Sequence, residues 1–465
     1  MIRIATRTDR KLALFGLGAS GLAAARALAA SGAAVTAWDD NGDQRRRAAD
    51  AGLALDDLYS SDFSGVDALV LAPGIPYTHD PHPVVRRAQA AGCAITGDIE
   101  LLLEACPGTR AIGITGTNGK STTTSLIGHI LHAAGRPAQV GGNLGPPALA
   151  FDMPEGDDAI FVLELSSYQL DLTERAAFDI AVLINVSPDH LSRHGGMEGY
   201  VAAKKRIFRN HAMRERRQTA VIGLDDGFGR AICEEMSARP RWRCVPFSAE
   251  SPCANGISAA GGVLVDATDD EPVEICRLDG IPTLPGVHNW QNAAAAYAVA
   301  RTAGVGRDEI AAALASYPGL SHRQELVAEI NGVRYVNDSK ATNGEAAARA
   351  LACYDDIFWI AGGQPKEGGL DATIPWLNRV RHAYLMGEAE DAFAARLRGT
   401  VAVTRCGTLA AAVEAAHKAA QSAKLPGSVV LLSPACASFD QWKSFEARGD
   451  GFRTLVRELA MEAAT

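Results

Sequence analysis

The sequence predicts an α/β protein of three successive units, each a mostly parallel sheet wrapped by helices. Three observations carry that prediction. Short apolar runs alternate with alanine-rich helical stretches along most of the chain, the pattern of doubly wound sheets. Two strand-to-helix turns are rich in glycine. A chain of 465 residues is also too long for one core and has room for about three domains.

In the first series, Leu12 to Phe15, Ala34 to Trp38 and Ala68 to Leu71 read as buried strands, and Ser20 to Ser31 as the helix joining the first two. A second series opens with a strand over Ala111 to Thr115 and a helix over Ser121 to Ala134. Strands over Ala159 to Leu165 and Ile180 to Val186 follow. Between about Thr219 and Pro282 the pattern turns to short segments broken by Gly and Pro, expected to be a small β-rich insert, before another alanine-rich helix from Asn289 to Ala303. The third series predicts strands over Val333 to Asn337, Ile357 to Ala361, Ala383 to Met386 and Ser428 to Leu432, with a helix over Leu409 to Ala423. Joints near Gly97 and Pro318-Gly319 divide the chain into 1–97, 98–319 and 320–465. No fixed-period repeat is visible.

Bulk properties exclude several classes. The formal charge of −9 argues against a nucleic-acid surface. The basic runs Arg45 to Arg47 and Arg214 to Arg217 are expected to be solvated helix faces. The nine cysteines are scattered singly without a CxxC pair, which fits reduced thiols better than a disulfide framework or a structural zinc site. Lys11 and the apolar run after it imitate a secretory signal, but Arg26 interrupts the stretch. No run reaches the ~18 apolar residues of a membrane span. A cytoplasmic monomer without a membrane span or nucleic-acid partner is the expectation.

Gly16-Leu17-Gly18-Ala19-Ser20-Gly21 matches GxGxxG between a strand and a helix, and Asp39 ends the next strand, where a ribose-binding acid would stand. A helix start of this kind supplies backbone N–H groups to a diphosphate. Both nicotinamide dinucleotides and UDP-sugars carry one. The second turn is more specific: Gly113-Ile114-Thr115-Gly116-Thr117-Asn118-Gly119-Lys120-Ser121-Thr122. Its N–H groups can cradle phosphates, Lys120 can meet the β and γ oxygens, and the Ser121 hydroxyl can reach Mg²⁺. Ile114 stands where the strict motif has its first glycine. This loop predicts nucleoside triphosphate binding.

The same departure resembles the Mur ligase family of ATP-dependent amide-forming enzymes. Other pieces follow in that family's order over nearly the whole chain: Gly141 to Gly145, Leu163 to Leu170, Asn185 to His190, Tyr200 to Lys204, His288 to Asn292 and His322-Arg323. Asn337 to Asn343 and Ser433 to Asp440 are similar to the glutamate-adding branch.

The resemblance implies a Rossmann-like N-terminal domain, a central P-loop ATPase-like domain and a Rossmann-like C-terminal domain. It implies ligation of D-glutamate to UDP-N-acetylmuramoyl-L-alanine through an acyl phosphate, releasing ADP and phosphate, in peptidoglycan precursor synthesis. The residues alone do not distinguish D- from L-glutamate. Carried over by position, Gly116, Thr117, Asn118, Gly119, Lys120, Ser121, Thr122 and Thr123 would bind ATP, Lys120 catalytically, with Asn289 and Asn292 on its adenine side. Arg323 and Asp338 would reach its phosphate and ribose. Ser121, Glu164, His190 and Lys204 would hold up to two Mg²⁺ ions; Lys204 would do so as a CO₂-derived carbamate, and His190 would hold a metal or face the substrate carboxylate. By composition alone Lys204 is a solvated helical lysine, and its neighbour Lys205 leaves a one-residue ambiguity. Ser20, Asp39, Ala72, Pro73, Gly74 and Asn143 would bind the UDP-substrate. Thr342, Lys366, Ser438 and Phe445 would receive glutamate, with Lys340 nearby.

Overall fold

The computed structural model describes residues 1–210, 217–366 and 368–463. It contains three sheets, as expected for the α/β class. The first is fully parallel, in the order β3-β2-β1-β4-β5, from β1 (Lys11–Phe15), β2 (Ala34–Trp38), β3 (Ala54–Leu55), β4 (Ala68–Leu71) and β5 (Ala94–Thr96). The central sheet runs β14-β13-β12-β11-β10-β9-β6-β8-β7. Its strands are β6 (Arg110–Thr115), β7 (Ala138–Gly142), β8 (Ile160–Glu164), β9 (Ile180–Leu183), β10 (Gln218–Gly223), β11 (Trp242–Ser248), β12 (Ile257–Ser258), β13 (Val263–Asp266) and β14 (Val273–Arg277). The third runs β15-β16-β20-β17-β18-β19, from β15 (Glu325–Ile330), β16 (Val333–Asn337), β17 (Ile357–Gly362), β18 (Val380–Met386), β19 (Val403–Gly407) and β20 (Val429–Leu432). It is parallel except for β15, which pairs antiparallel with β16.

The chain forms two compact units, Met1–Leu278 with Val287–Ser316, and Asp279–Gly286 with Tyr317–Thr465. The first unit holds two sheets because they share a core. One buried apolar cluster runs from Ile2, Leu14 and Leu28 beside the first sheet to Phe161, Phe178 and Trp242 in the central part. Polar groups tie the same seam: Glu100, at the start of the helix Asp98–Ala105, accepts the backbone N–H groups of Glu174, Arg175 and Ala176 at 2.6–2.8 Å.

Two sequence expectations need correction. The stretch from 219 to 282 is no separate insert. β10 pairs parallel with β9 and is wholly buried, so β10 to β14 extend the central sheet, with the helix Gly227–Ser237 among them. Its Gly and Pro residues fall at strand ends, in turns, inside β11 and at the start of that helix, with Gly280 and Pro282 in the segment Asp279–Gly286 that belongs to the second unit. The Arg45–Arg47 run is only partly a solvated face. The Arg45 guanidinium lies 4.5 Å from the Trp38 ring centroid and donates to the carbonyls of Asp39 and Asp40 at 2.6 and 3.0 Å, because Trp38 offers an apolar platform at the end of β2. Arg214 to Arg216 lie outside the described residues. All nine cysteines are free thiols. Among the described residues no helix is long and apolar enough to cross a membrane.

Candidate functional site

In the first sheet the connections from β1 and β4 run in opposite directions, which opens a crevice at their carboxyl ends. The first glycine turn and Ala72-Pro73-Gly74 meet there. Gly16 has φ +95°, and a Cβ on it would lie 2.6 Å from that of Ala72; one on Gly21 would lie 1.8 Å from the Gly16 carbonyl oxygen. Both glycines are therefore required for strand and helix to approach. Asp39 is already engaged: one carboxylate oxygen accepts the Leu17 N–H at 2.5 Å and the other the Asn41 N–H at 2.7 Å. It braces the glycine turn from behind. Ser20 is half-buried in the first turn of the following helix, and Asp98 is buried, accepts from the Gln169 side-chain amide at 3.3 Å and has its pKa raised by burial.

The second turn leaves β6 and enters the helix Lys120–Ala133 through Gly119, at φ +82°. It is tied to the segment after β9. The Thr117 N–H donates to the Asn185 carbonyl at 2.9 Å, the Asn118 N–H to the Asn185 side-chain oxygen at 2.9 Å, and the Thr117 hydroxyl to the Ser187 carbonyl at 3.0 Å. Asn292 supports the turn from below: it is 1 % exposed, accepts from the Thr123 hydroxyl at 3.2 Å, and donates to Asn289 at 3.2 Å. A Cβ on Gly119 would lie 2.1 Å from its side-chain oxygen. Ser121 is buried and Thr122 half-buried in the first turn of the helix.

Two lysines share one acceptor here. Lys120 Nζ donates to the Gly116 carbonyl at 2.9 Å and to that of Thr117 at 2.8 Å, and Lys204 Nζ donates to the same Gly116 oxygen at 2.8 Å. Lys204 is not the solvated helical lysine that composition suggests. It is 1 % exposed, and its Nζ sits 4.6 Å from the centroid of Tyr200, one helical turn back on Met197–Lys205. Burial, with the Lys120 charge second, pulls its pKa well below the ordinary lysine range. Lys205 instead points outward to an ion pair with Glu235, which resolves the one-residue ambiguity in favour of Lys204 as the buried group.

Glu164 ends β8 and is 2 % exposed. One carboxylate oxygen accepts from Asn143 at 2.8 Å, while the other is buried without a hydrogen-bond partner. A buried, half-satisfied carboxylate is costly unless a cation completes it. His190 stands on its own turn, at φ +52°, with its ring 5.0 Å from Tyr168 and its Nε2 3.4 Å from Asp189. Among the described residues no three His, Cys, Asp or Glu side chains group as a metal cage. A magnesium ion needs none: one or two carboxylates with substrate phosphates suffice, and the orphaned Glu164 oxygen suits that role.

Comparison with known proteins now bears on this geometry. Residues 114–300 match the Mur ligase middle domain, and residues 322–436 the Mur ligase glutamate ligase domain. A UDP-N-acetylmuramoylalanine–D-glutamate ligase from Paramagnetospirillum magneticum is 52 % identical over 98 % of each chain. The chain belongs to the Mur ligase family. Relatives of the same name from Rhodospirillum rubrum and Phenylobacterium zucineum are 52 % and 49 % identical, covering 97 % and 99 % of this chain and 94 % and 98 % of theirs. The fold is also that of a UDP-N-acetylmuramate–alanine ligase from Thermotoga maritima, with TM-score 0.58 at 15 % identity over 97 % and 99 % of the two chains. A MurF ligase from Thermotoga maritima in complex with ADP has TM-score 0.56 at 19 % identity over 85 % and 90 %.

In the second unit of this Mur ligase, Arg323 lies between His322 and Gln324, both at positive φ. That backbone is uncommon outside glycine and tends to mark functional sites. Asp338 accepts from the Gln324 N–H at 3.2 Å and the Ser433 hydroxyl at 2.9 Å, and burial pushes its carboxyl up to about 7. Lys340 Nζ lies 3.8 Å from the Phe445 centroid. Thr342 is half-buried, Ser438 buried, and Lys366 exposed on its loop. A short bridge between Gln364 and Ala437, with N–H to carbonyl distances of 2.9 and 3.0 Å, binds the Lys366 loop to the Ser438 segment.

Sequence reasoning missed Arg448. It is 1 % exposed on the helix Phe445–Ala463 and donates to the Ser339 hydroxyl and carbonyl, both at 2.9 Å, and to the carbonyls of Cys436 and Ala437 at 3.1 and 3.2 Å. One guanidinium thus binds the two glutamate-branch signatures together. Its position in a charged helical stretch, Phe445-Glu446-Ala447-Arg448-Gly449-Asp450, gave no signal. Asn185 and Tyr200 were within quoted motifs but received no role. Asn185 organises the phosphate loop, and the Tyr200 hydroxyl lies 3.1 Å from that of Thr117.

Proposed function

We propose that this Mur ligase joins D-glutamate to UDP-N-acetylmuramoyl-L-alanine, with ATP giving ADP and phosphate, in the synthesis of peptidoglycan precursor. The observation that carries this reading is full-length similarity to ligases of that name, joined to a phosphate loop with a lysine at its head. The reading includes the division into 1–97 for the UDP-sugar, 98–319 for ATP, and 320–465 for the amino acid with part of ATP. It also includes action in the cytoplasm as a monomer.

ATP phosphorylates the alanyl carboxylate, and the glutamate amine then attacks the acyl phosphate. Lys120 leaves the loop carbonyls for the β and γ oxygens, and the turn's N–H groups hold the remaining phosphate charge. Glu164, held by Asn143, and the Ser121 hydroxyl would hold Mg²⁺, with His190 closing on a second ion or on the substrate carboxylate. When bound, the ion would supply positive charge to the phosphate oxygens. Lys204 would contribute as a carbamate: its depressed pKa shifts it toward the neutral amine, the form that adds to CO₂ with loss of a proton. The product is an anionic oxygen donor where a second ammonium would repel Lys120. Arg323 and Asp338 reach ATP, and Thr342, Lys366, Ser438 and Phe445 receive glutamate, a cation and hydroxyls suiting its carboxylates.

The decisive assay is phosphate release from ATP with UDP-N-acetylmuramoyl-L-alanine. Release is expected to require D-glutamate, with L-glutamate and diamino acids inactive. Equal release without glutamate would defeat the reading. The first-sheet crevice is tested by Asp39→Ala. Because this carboxylate shapes the glycine turn, the Michaelis constant for the UDP-substrate should rise about tenfold, the worth of one charge-assisted hydrogen bond, with that for ATP nearly unchanged. Saturable micromolar binding of NADH would point to the dinucleotide reading instead.

A further inference from the structure

Away from the groups that serve ligation, two cysteines meet. Cys233 lies on the helix Gly227–Ser237 and Cys244 on β11, which packs beside that helix. Their sulfurs are 3.3 Å apart, the distance of a thiol–thiol hydrogen bond. Both are half-buried at the margin of the large core, so each touches apolar neighbours and retains a path to solvent. The Cys233 carbonyl is held by the Ser237 hydroxyl at 2.8 Å, which fixes the helical turn that carries the sulfur. The hydrogen bond between the two sulfurs draws the Cys233 thiol below its ordinary range and raises that of Cys244. One sulfur of the pair is therefore the nucleophile and the other remains protonated beside it. Cys253, buried behind them, is near enough for its charge to interact with that of Cys233.

We propose that Cys233 and Cys244 form a modification site at which a peroxide-class oxidant makes a reversible disulfide, with Cys233 oxidised first. The Cys233 thiolate attacks one peroxide oxygen, the O–O bond breaks, hydroxide leaves and a sulfenic acid remains. The Cys244 sulfur then attacks the sulfenic sulfur, an S–S bond forms and water departs. Two thiols are oxidised and one hydrogen peroxide is reduced to two waters. A disulfide bond of about 2.0 Å is a short movement from the present contact, and helix and strand are consecutive elements, so no long-range rearrangement is needed. The neighbour thiol also captures the sulfenic acid before it reaches the irreversible sulfinic stage.

The whole chain, treated with hydrogen peroxide at low molar excess, is expected to lose two hydrogens, about 2 Da, before alkylation, and to take up two fewer alkyl groups than the untreated protein afterwards. Its non-reduced digest should yield one cross-linked peptide joining Cys233 to Cys244, and dithiothreitol should reverse both changes. Cys244→Ser should stop the cross-link and leave Cys233 reactive to dimedone; Cys233→Ser should abolish both. If a serine variant fails to keep the unfolding midpoint of the parent, the peptide map of the parent decides alone. Recovery of both thiols as alkylated cysteine after peroxide treatment, or a cross-link through Cys253, overturns the proposal.

Discussion

Lys204→Arg is expected to lose nearly all ligation, by about 10²-fold or more in kcat, the scale seen when a charge-stabilising group is removed from a preorganised site. Arginine keeps the positive charge but cannot form a lysine carbamate. The retained cation would stand close to Lys120 and to the ion assigned to Glu164. Like charges a few ångströms apart repel by roughly 4 kcal/mol at an effective dielectric of about 20. Arginine is also larger, in a place only 1 % exposed, so the unfolding midpoint must be measured beside turnover. A second variant keeps the test decisive if the first is unstable: Lys204→Ala should be inactive and partly rescued by a short carboxylic acid that supplies the missing oxygens. Lys205→Arg should be nearly silent, since that side chain reaches only a surface pair with Glu235. Turnover of Lys204→Arg near the parent rate would show that a cation suffices.

Lys120→Ala should lower kcat by a similar factor of about 10² or more without unfolding the protein. Besides the two carbonyl contacts of the ammonium, the phosphate loop is held by other groups. Asn185 holds it through the N–H groups of Thr117 and Asn118, and Asn292 through Thr123. Circular dichroism and the unfolding midpoint should therefore match the parent while single-turnover phosphate release collapses. Retention of most activity would show that the loop is structural only.

Most of what the sequence disclosed was local. Apolar runs placed β2, β4 and β16 to the residue; β4 is buried throughout, as a parallel strand covered on both faces must be, while β2 and β16 carried enough apolar residues to be read despite Thr36 and Arg334. The glycine turns were legible for a similar reason: Gly16, Gly21 and Gly119 stand where a side chain would strike backbone or a neighbouring residue. Pairings between distant segments were not legible. The two residues of β3 and the extension of the central sheet through β10 depend on neighbours far along the chain. Arg448 escaped notice because its partners, three of them backbone carbonyls, lie 11 to 109 residues away, and backbone carbonyls leave no mark in a sequence. The environment of Lys204 was hidden too, as composition cannot show that a lysine among alanines and basic neighbours is turned inward.

The shared Gly116 carbonyl has a consequence for which nucleotides this loop admits. Without ligand, the loop satisfies Lys120 with its own oxygens. Occupancy is thus an exchange reaction, in which an incoming phosphate must outcompete an internal acceptor already at hydrogen-bond distance. A dipolar carbonyl is easily displaced by a multiply charged oxyanion and poorly by a weakly charged one. On the function proposed above, such an exchange would favour polyphosphate chains over nucleosides and monophosphates.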